Sequence, residues 1–266
     1  MRAQDIVARV KALPVARQVL EWRYERYFAT VENVHLFRGV YASFAAASAS
    51  APATKAVGYD EPGAAAMYRE GFDQLRGSDY PVLFWLERLL PSARAVFDYG
   101  GHVGVKYYAF RKVLAFPPGF VWTVCDVPAV VLAGEALRQQ QTAAGLRFVT
   151  DFAAAEGHDV LLCSGSLQYI ERPLAALLQP LARRPPHLLI NTTPFSDRAT
   201  FFTLNNIGSA FCPYKIQNAG AFIEELQRLG YRLKDRWENP GKRCQIPFHA
   251  DHDVDGYGGM YFRLDA

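Results

Sequence analysis

The chain has 266 residues, 50% of them hydrophobic, which is enough for one large α/β domain with an appendage. Its formal net charge of +3 comes without a long Lys or Arg run, which argues against nucleic acid as a partner. No stretch approaches the roughly 18 apolar residues of a membrane span, no signal-peptide core follows the first residues, and the four widely spaced cysteines form no C-x-x-C. The expectation is a reduced, cytoplasmic protein with no integral membrane segment.

Residues 4–42 have a helix-rich pattern in which Val19, Trp22, Tyr24, Tyr27 and Phe28 alternate with Arg and Glu. Such a basic, aromatic helix suits packing on the protein's own domain or on a second copy, and its composition also suits a membrane surface. The run of Ala and Ser at 45–54 reads as a linker or exposed loop. Helical patterns follow at 63–75 and 81–90.

From residue 95 the texture becomes alternating strands and helices. Strands are expected at 95–99, 120–125, 146–149, 159–163 and 187–191, and helices at 103–114, 129–141, 173–182 and 219–229. Two last strands, at 231–237 and 259–264, have no helix between them and should pair antiparallel at one edge. Strands spaced by helices imply a mainly parallel sheet covered on both faces. The predicted fold is α/β, a Rossmann-like seven-stranded sheet with an antiparallel last strand. Residues 1–90 form an N-terminal helical cap or dimerisation region, and residues 91–266 form the domain that binds a cofactor.

In such a sheet ligands bind at the carboxyl ends of the strands, near the switch in strand order. The first βα strand ends Phe97-Asp98-Tyr99-Gly100-Gly101-His102-Val103-Gly104. Glycines let backbone turn sharply and approach a ligand. An acid two residues ahead of the first glycine is unusual where a pyrophosphate must lie, and it suits a cofactor with an ammonium group, S-adenosylmethionine (SAM). The second strand ends Cys125-Asp126-Val127-Pro128, with Asp126 22 residues beyond Gly104. A carboxylate there can accept hydrogen bonds from both ribose hydroxyls, or it can cap the following helix. Asp151 and Phe152 end the third strand and are candidates for the adenine amino group and ring, with an exposed turn and a core Phe as the other reading. Ser164 and Ser166, in Ser164-Gly165-Ser166-Leu167-Gln168-Tyr169, end the fourth and would border both cofactor and acceptor.

These motifs resemble the small-molecule O-methyltransferases among class I SAM-dependent methyltransferases. Together with Gly58-Tyr59-Asp60 they also resemble a bacterial family of uncharacterised methyltransferases, some encoded among surface-polysaccharide genes. The likeness covers residues 58–264. It implies Asp98, Gly100, Gly101 and Gly104 as the SAM loop and Asp126 as the ribose ligand. His102 departs from the glycine common at its place.

Methyl transfer to oxygen needs the acceptor proton removed, and His is the usual base. His249 and His252, in His249-Ala250-Asp251-His252-Asp253, are candidates, and Tyr169 is a third. The same loop also reads as solvated surface or as a metal site, although no metal is expected. The expected acceptor is a hydroxyl or carboxylate on a small molecule or glycan. Two other readings are a degenerate methyltransferase fold that binds without turnover and an NAD-dependent oxidoreductase.

Overall fold

The computed structural model describes residues 14–32, 35–60, 63 and 71–265. It opens with helix α1 (Pro14–Thr30), strand β1 (Leu36–Tyr41), helix α2 (Phe44–Ala49), the short strand β2 (Ala56–Val57) and helix α3 (Tyr80–Leu89). The alternating part follows as β3 (Ala95–Tyr99), α4 (Val105–Phe110), β4 (Val121–Cys125), α5 (Pro128–Gln140), β5 (Leu146–Val149), β6 (Val160–Ser164), α6 (Leu174–Leu178) and β7 (His187–Thr193). Then come β8 (Phe195–Ser196), β9 (Phe201–Asn206), β10 (Ala210–Asn218), α7 (Ala219–Arg228), β11 (Tyr231–Asn239) and β12 (Tyr257–Leu264).

The main sheet has the order β11-β12-β7-β6-β3-β4-β5. Its five βα strands run parallel, and β12 runs antiparallel to both β11 and β7. Strand order reverses between β3 and β6, so the ends of β3, β4 and β6 open onto one crevice. Successive side chains of a strand point to opposite faces: Val96 enters the core on one side of the sheet and Phe97 the core on the other. Both faces are covered, which is why β4 and β6 are apolar almost throughout.

A second, smaller sheet has the order β1-β9-β10-β2. It joins N-terminal strands to a β9–β10 hairpin inserted between β7 and α7. Here the structure departs from the expected elements. Residues 36–41, read within a helix-rich region, are a strand paired with β9. Part of the supposed linker is helix α2, capped by the Ser43 hydroxyl, which accepts the Ala46 N–H at 3.0 Å. Its Ala47 is fully buried, a packing role that small residues fill without a visible hydrophobic stripe. The hairpin left no alternating pattern because nearly all of β10 is buried, polar side chains included. The helix expected at 63–75 falls largely outside the described residues.

Helix α1 docks on this second sheet through its last turns: the Phe28 and Phe211 rings stack at 5.3 Å, and the Asn206 amide donates to the Phe28 carbonyl at 2.7 Å. Among the described residues no helix is long and apolar enough to cross a membrane.

Candidate active site

At the end of β3 the chain turns through Gly100, whose φ of +73° favours glycine. The Gly100 N–H donates to the Cys125 carbonyl at 2.8 Å, tying the loop to the end of β4. A Cβ on Gly100 would run into the Ser166 side chain, and one on Gly101 into the Asp98 carboxylate. The loop is therefore pressed against protein on its inner side, and both glycines are needed before any ligand arrives. Gly104 caps α4 and packs by Leu146, away from the cavity described below.

Asp98 lies fully buried beneath this loop. Its Oδ2 accepts the Trp122 indole N–H at 3.1 Å, while Oδ1 has no partner among the described residues. Burial pushes its carboxyl up to about 7, against the opposing effects of Trp122 and Lys106. Asp126, at the end of β4, is half-buried. One of its oxygens accepts the His102 N–H at 2.9 Å and the other the Val127 N–H at 2.8 Å. Burial pushes it up to about 6 despite those bonds. His102 is itself buried and has a φ of +55°, the backbone region in which glycine is commoner.

These groups face one cavity of about 980 Å³, at the upper end of the usual range for small-molecule sites. Asp98, Gly100, Gly101, Asp126 and Val127 line one end of it, with Ser164 and Ser166 alongside. Ser166 also donates its hydroxyl to the Tyr99 carbonyl at 2.5 Å. Asp151 and Phe152 are not on the wall. The Asp151 carboxylate caps the next turn by accepting the Ala153 N–H at 2.9 Å, and Phe152 is buried edge-on to Tyr99. Thr150 takes their place on the lining.

The same cavity is also lined by residues that motif reading did not assign to a site: His35, Tyr59, Arg76, Lys106, Trp237 and Lys242. Tyr169 lines it too, but its hydroxyl donates to Asn205 Oδ1 at 3.1 Å. His249 and His252 lie elsewhere, in the β11–β12 connection, with His252 beside the Asp251 carboxylate at 3.0 Å and edge-on to Phe201. His35 lies on the wall. Burial and the nearby Lys242 lower its pKa below the ordinary 6.5, against a raising hydrogen bond with Asn205. Gly58-Tyr59-Asp60 was the available signal for this region. Tyr59 packs against Tyr169 and edge-on to His102, and Asp60 accepts the Ala129 N–H at 3.0 Å, capping α5 from a distant segment. Among the described residues no group of three or more His, Cys, Asp or Glu is gathered closely enough for a metal ion.

No family model matches the chain, and no curated protein matches it. Solved structures do. The N-terminal domain of EvdMO1 with S-adenosylhomocysteine (SAH) bound is 15% identical, with a TM-score of 0.50 over 72% of this chain and 83% of that one. The same domain in the presence of SAH and D-fucose gives 13% identity and a TM-score of 0.50 over 72% and 84%. The Burkholderia thailandensis 1,6-didemethyltoxoflavin-N1-methyltransferase has 18% identity and a TM-score of 0.47 over 71% and 79%. The observed strand order and the EvdMO1 matches establish that this chain has the class I methyltransferase fold.

Proposed function

We propose that this protein is a SAM-dependent methyltransferase that modifies a hydroxyl or carboxylate of a small molecule or glycan. The observation that carries this reading is the pairing of Asp98 and Asp126 at adjacent strand ends on one cavity, with Asp98 Oδ1 lacking a partner among the described residues. Buried polar atoms are rarely left unsatisfied without a functional reason. SAM fits both: an ammonium group or a bridging water would satisfy Asp98, and Asp126 keeps acceptor capacity for ribose hydroxyls. The bound SAH in the structurally similar EvdMO1 domain supports the same choice.

When bound, SAM supplies a methyl group on an electrophilic sulfonium. The protein's part is to hold the acceptor in line and to exclude water. Residues 1–90 contribute His35, Tyr59 and Arg76 to the cavity, which supports reading that region as a cap. For a hydroxyl acceptor we assign the base to His35 rather than His249 or His252, because His35 lines the cavity and its lowered pKa leaves the imidazole neutral at neutral pH. Calorimetric titration with SAM, SAH and NAD tests the reading. Binding of NAD without SAM or SAH would replace it with an oxidoreductase.

A further inference from the structure

Three cationic side chains that are far apart in sequence line the one cavity, and Arg76 and Lys106 both act electrostatically on Lys242. Arg76 precedes the turn into α3, Lys106 begins α4, and Lys242 lies between β11 and β12. Their surroundings differ. Lys106 is held by the buried Asp79 carboxylate at 2.5 Å and acts electrostatically on Asp98. Lys242 acts electrostatically on His35 and has its ammonium 5.4 Å from the Tyr257 ring centroid. No ion pair holds Lys242 among the described residues, and Glu238, though on the same wall, is not paired with it.

Lys242 is exposed, and desolvation by the cavity walls together with Arg76 and Lys106 pushes it down to about 8. Among the described residues the charged groups that act on Lys242 are the cations Arg76 and Lys106, and an anion placed between them would relieve that repulsion. Tyr59 and Trp237 on the same walls offer flat apolar surface beside the charge.

We propose that Lys242 and Arg76, with Lys106 behind them, form a site for an acidic group, a carboxylate or phosphate, carried by the methyl acceptor. This rests on the methyltransferase reading and narrows it to anionic acceptors. It gives the cavity an anion-binding set of cations distinct from the two strand-end carboxylates assigned to the cofactor. The low overall charge of the chain conceals the arrangement because the cations come from separate segments.

The test is calorimetry on the full-length, SAH-saturated protein titrated with benzoate, inorganic phosphate and, as uncharged control, benzyl alcohol. Benzoate or phosphate should bind at least about tenfold more tightly than benzyl alcohol, since charge-assisted hydrogen bonds dominate such recognition. Lys242→Met should remove that preference and Lys242→Arg should keep most of it, with SAH affinity unchanged in both. Equal or absent binding of both anions in wild type would overturn the proposal. So would a Lys242→Met variant that loses SAH affinity, because the cations would then serve the cofactor's own carboxylate. Failure of wild type to bind SAH counts against the methyltransferase reading instead. Phosphate titrated into cofactor-free wild type and Lys242→Met still decides whether the cationic site exists.

Discussion

Asp126 Oδ2 accepts the backbone N–H of His102 at 2.9 Å, so the acid at the end of β4 holds the glycine loop at the end of β3. One carboxylate thus shapes the loop and faces the cavity that the loop borders. Asp126→Ala should weaken SAH binding by about 1–3 kcal/mol, the usual cost of losing a buried hydrogen-bonding partner. Calorimetry on a variant with an unchanged far-UV spectrum checks it. Unchanged affinity would remove Asp126 from cofactor binding.

Asp98 should make stability depend on pH. Its carboxyl titrates at about 7 in the folded protein and near 3.9 when unfolded. Between those values the native state binds the extra proton, so this group's contribution falls as pH rises through the window. The penalty is absent below the unfolded value and complete above the folded one. Asp98→Asn removes the charge while an amide oxygen can still accept the Trp122 N–H. Urea denaturation should show this variant gaining stability relative to wild type at about pH 8 and little or none at about pH 4. Its SAM affinity should fall if Asp98 serves the ammonium group.

Gly101→Ala places a methyl group against the Asp98 carboxylate. Such overpacking costs about 1–3 kcal/mol, and thermal unfolding should show the loss together with weakened SAH binding. Gly100→Val should behave likewise, because its Cβ meets Ser166 and its φ is +73°. The sequence reading gave these glycines a sharp turn and a close approach to a ligand. The packing makes the injury structural as well. Normal stability in both variants would contradict this account.

Asn191 is fully buried and joins four segments. Its amide donates to the Ser78 carbonyl at 3.0 Å and the Ser164 hydroxyl at 3.2 Å, and its oxygen accepts the Trp237 indole N–H at 3.0 Å. Asn191→Leu has similar bulk but leaves those partners unsatisfied. A loss of about 2–4 kcal/mol is expected, read from the urea midpoint at constant slope.

His35→Gln should lower kcat for a hydroxyl acceptor by about 10²-fold or more while SAH affinity holds. His249→Ala and His252→Ala, which lie off the cavity wall, should keep wild-type turnover. Full activity in His35→Gln would move proton removal to another group or to a carboxylate acceptor that needs none.

The alternation of strands and helices from residue 95 onward was legible because it is local. A βα unit is written in one contiguous stretch, and the turn from Asp98 to Gly104 records its own backbone demands. Asp126 was legible for the same reason, one unit later. The reading weakened where burial hides periodicity. Strand β10 is covered along nearly its whole length, so it shows no alternation, and α2 packs through an alanine that looks like linker. The base candidates show the limit most directly. His249 and His252 share a conspicuous sequence cluster but lie off the cavity, whereas solitary His35 lies on it. Arg76, Lys106 and Lys242 are likewise unremarkable in their own segments. The sequence alone therefore determined the sheet and the loop at its center, where neighbours in space are neighbours in the chain. The tertiary structure decided which residues of separate segments share the cavity wall, because His35, Arg76, Lys106 and Lys242 come together only when the N-terminal segments and the β11–β12 connection pack beside the strand ends.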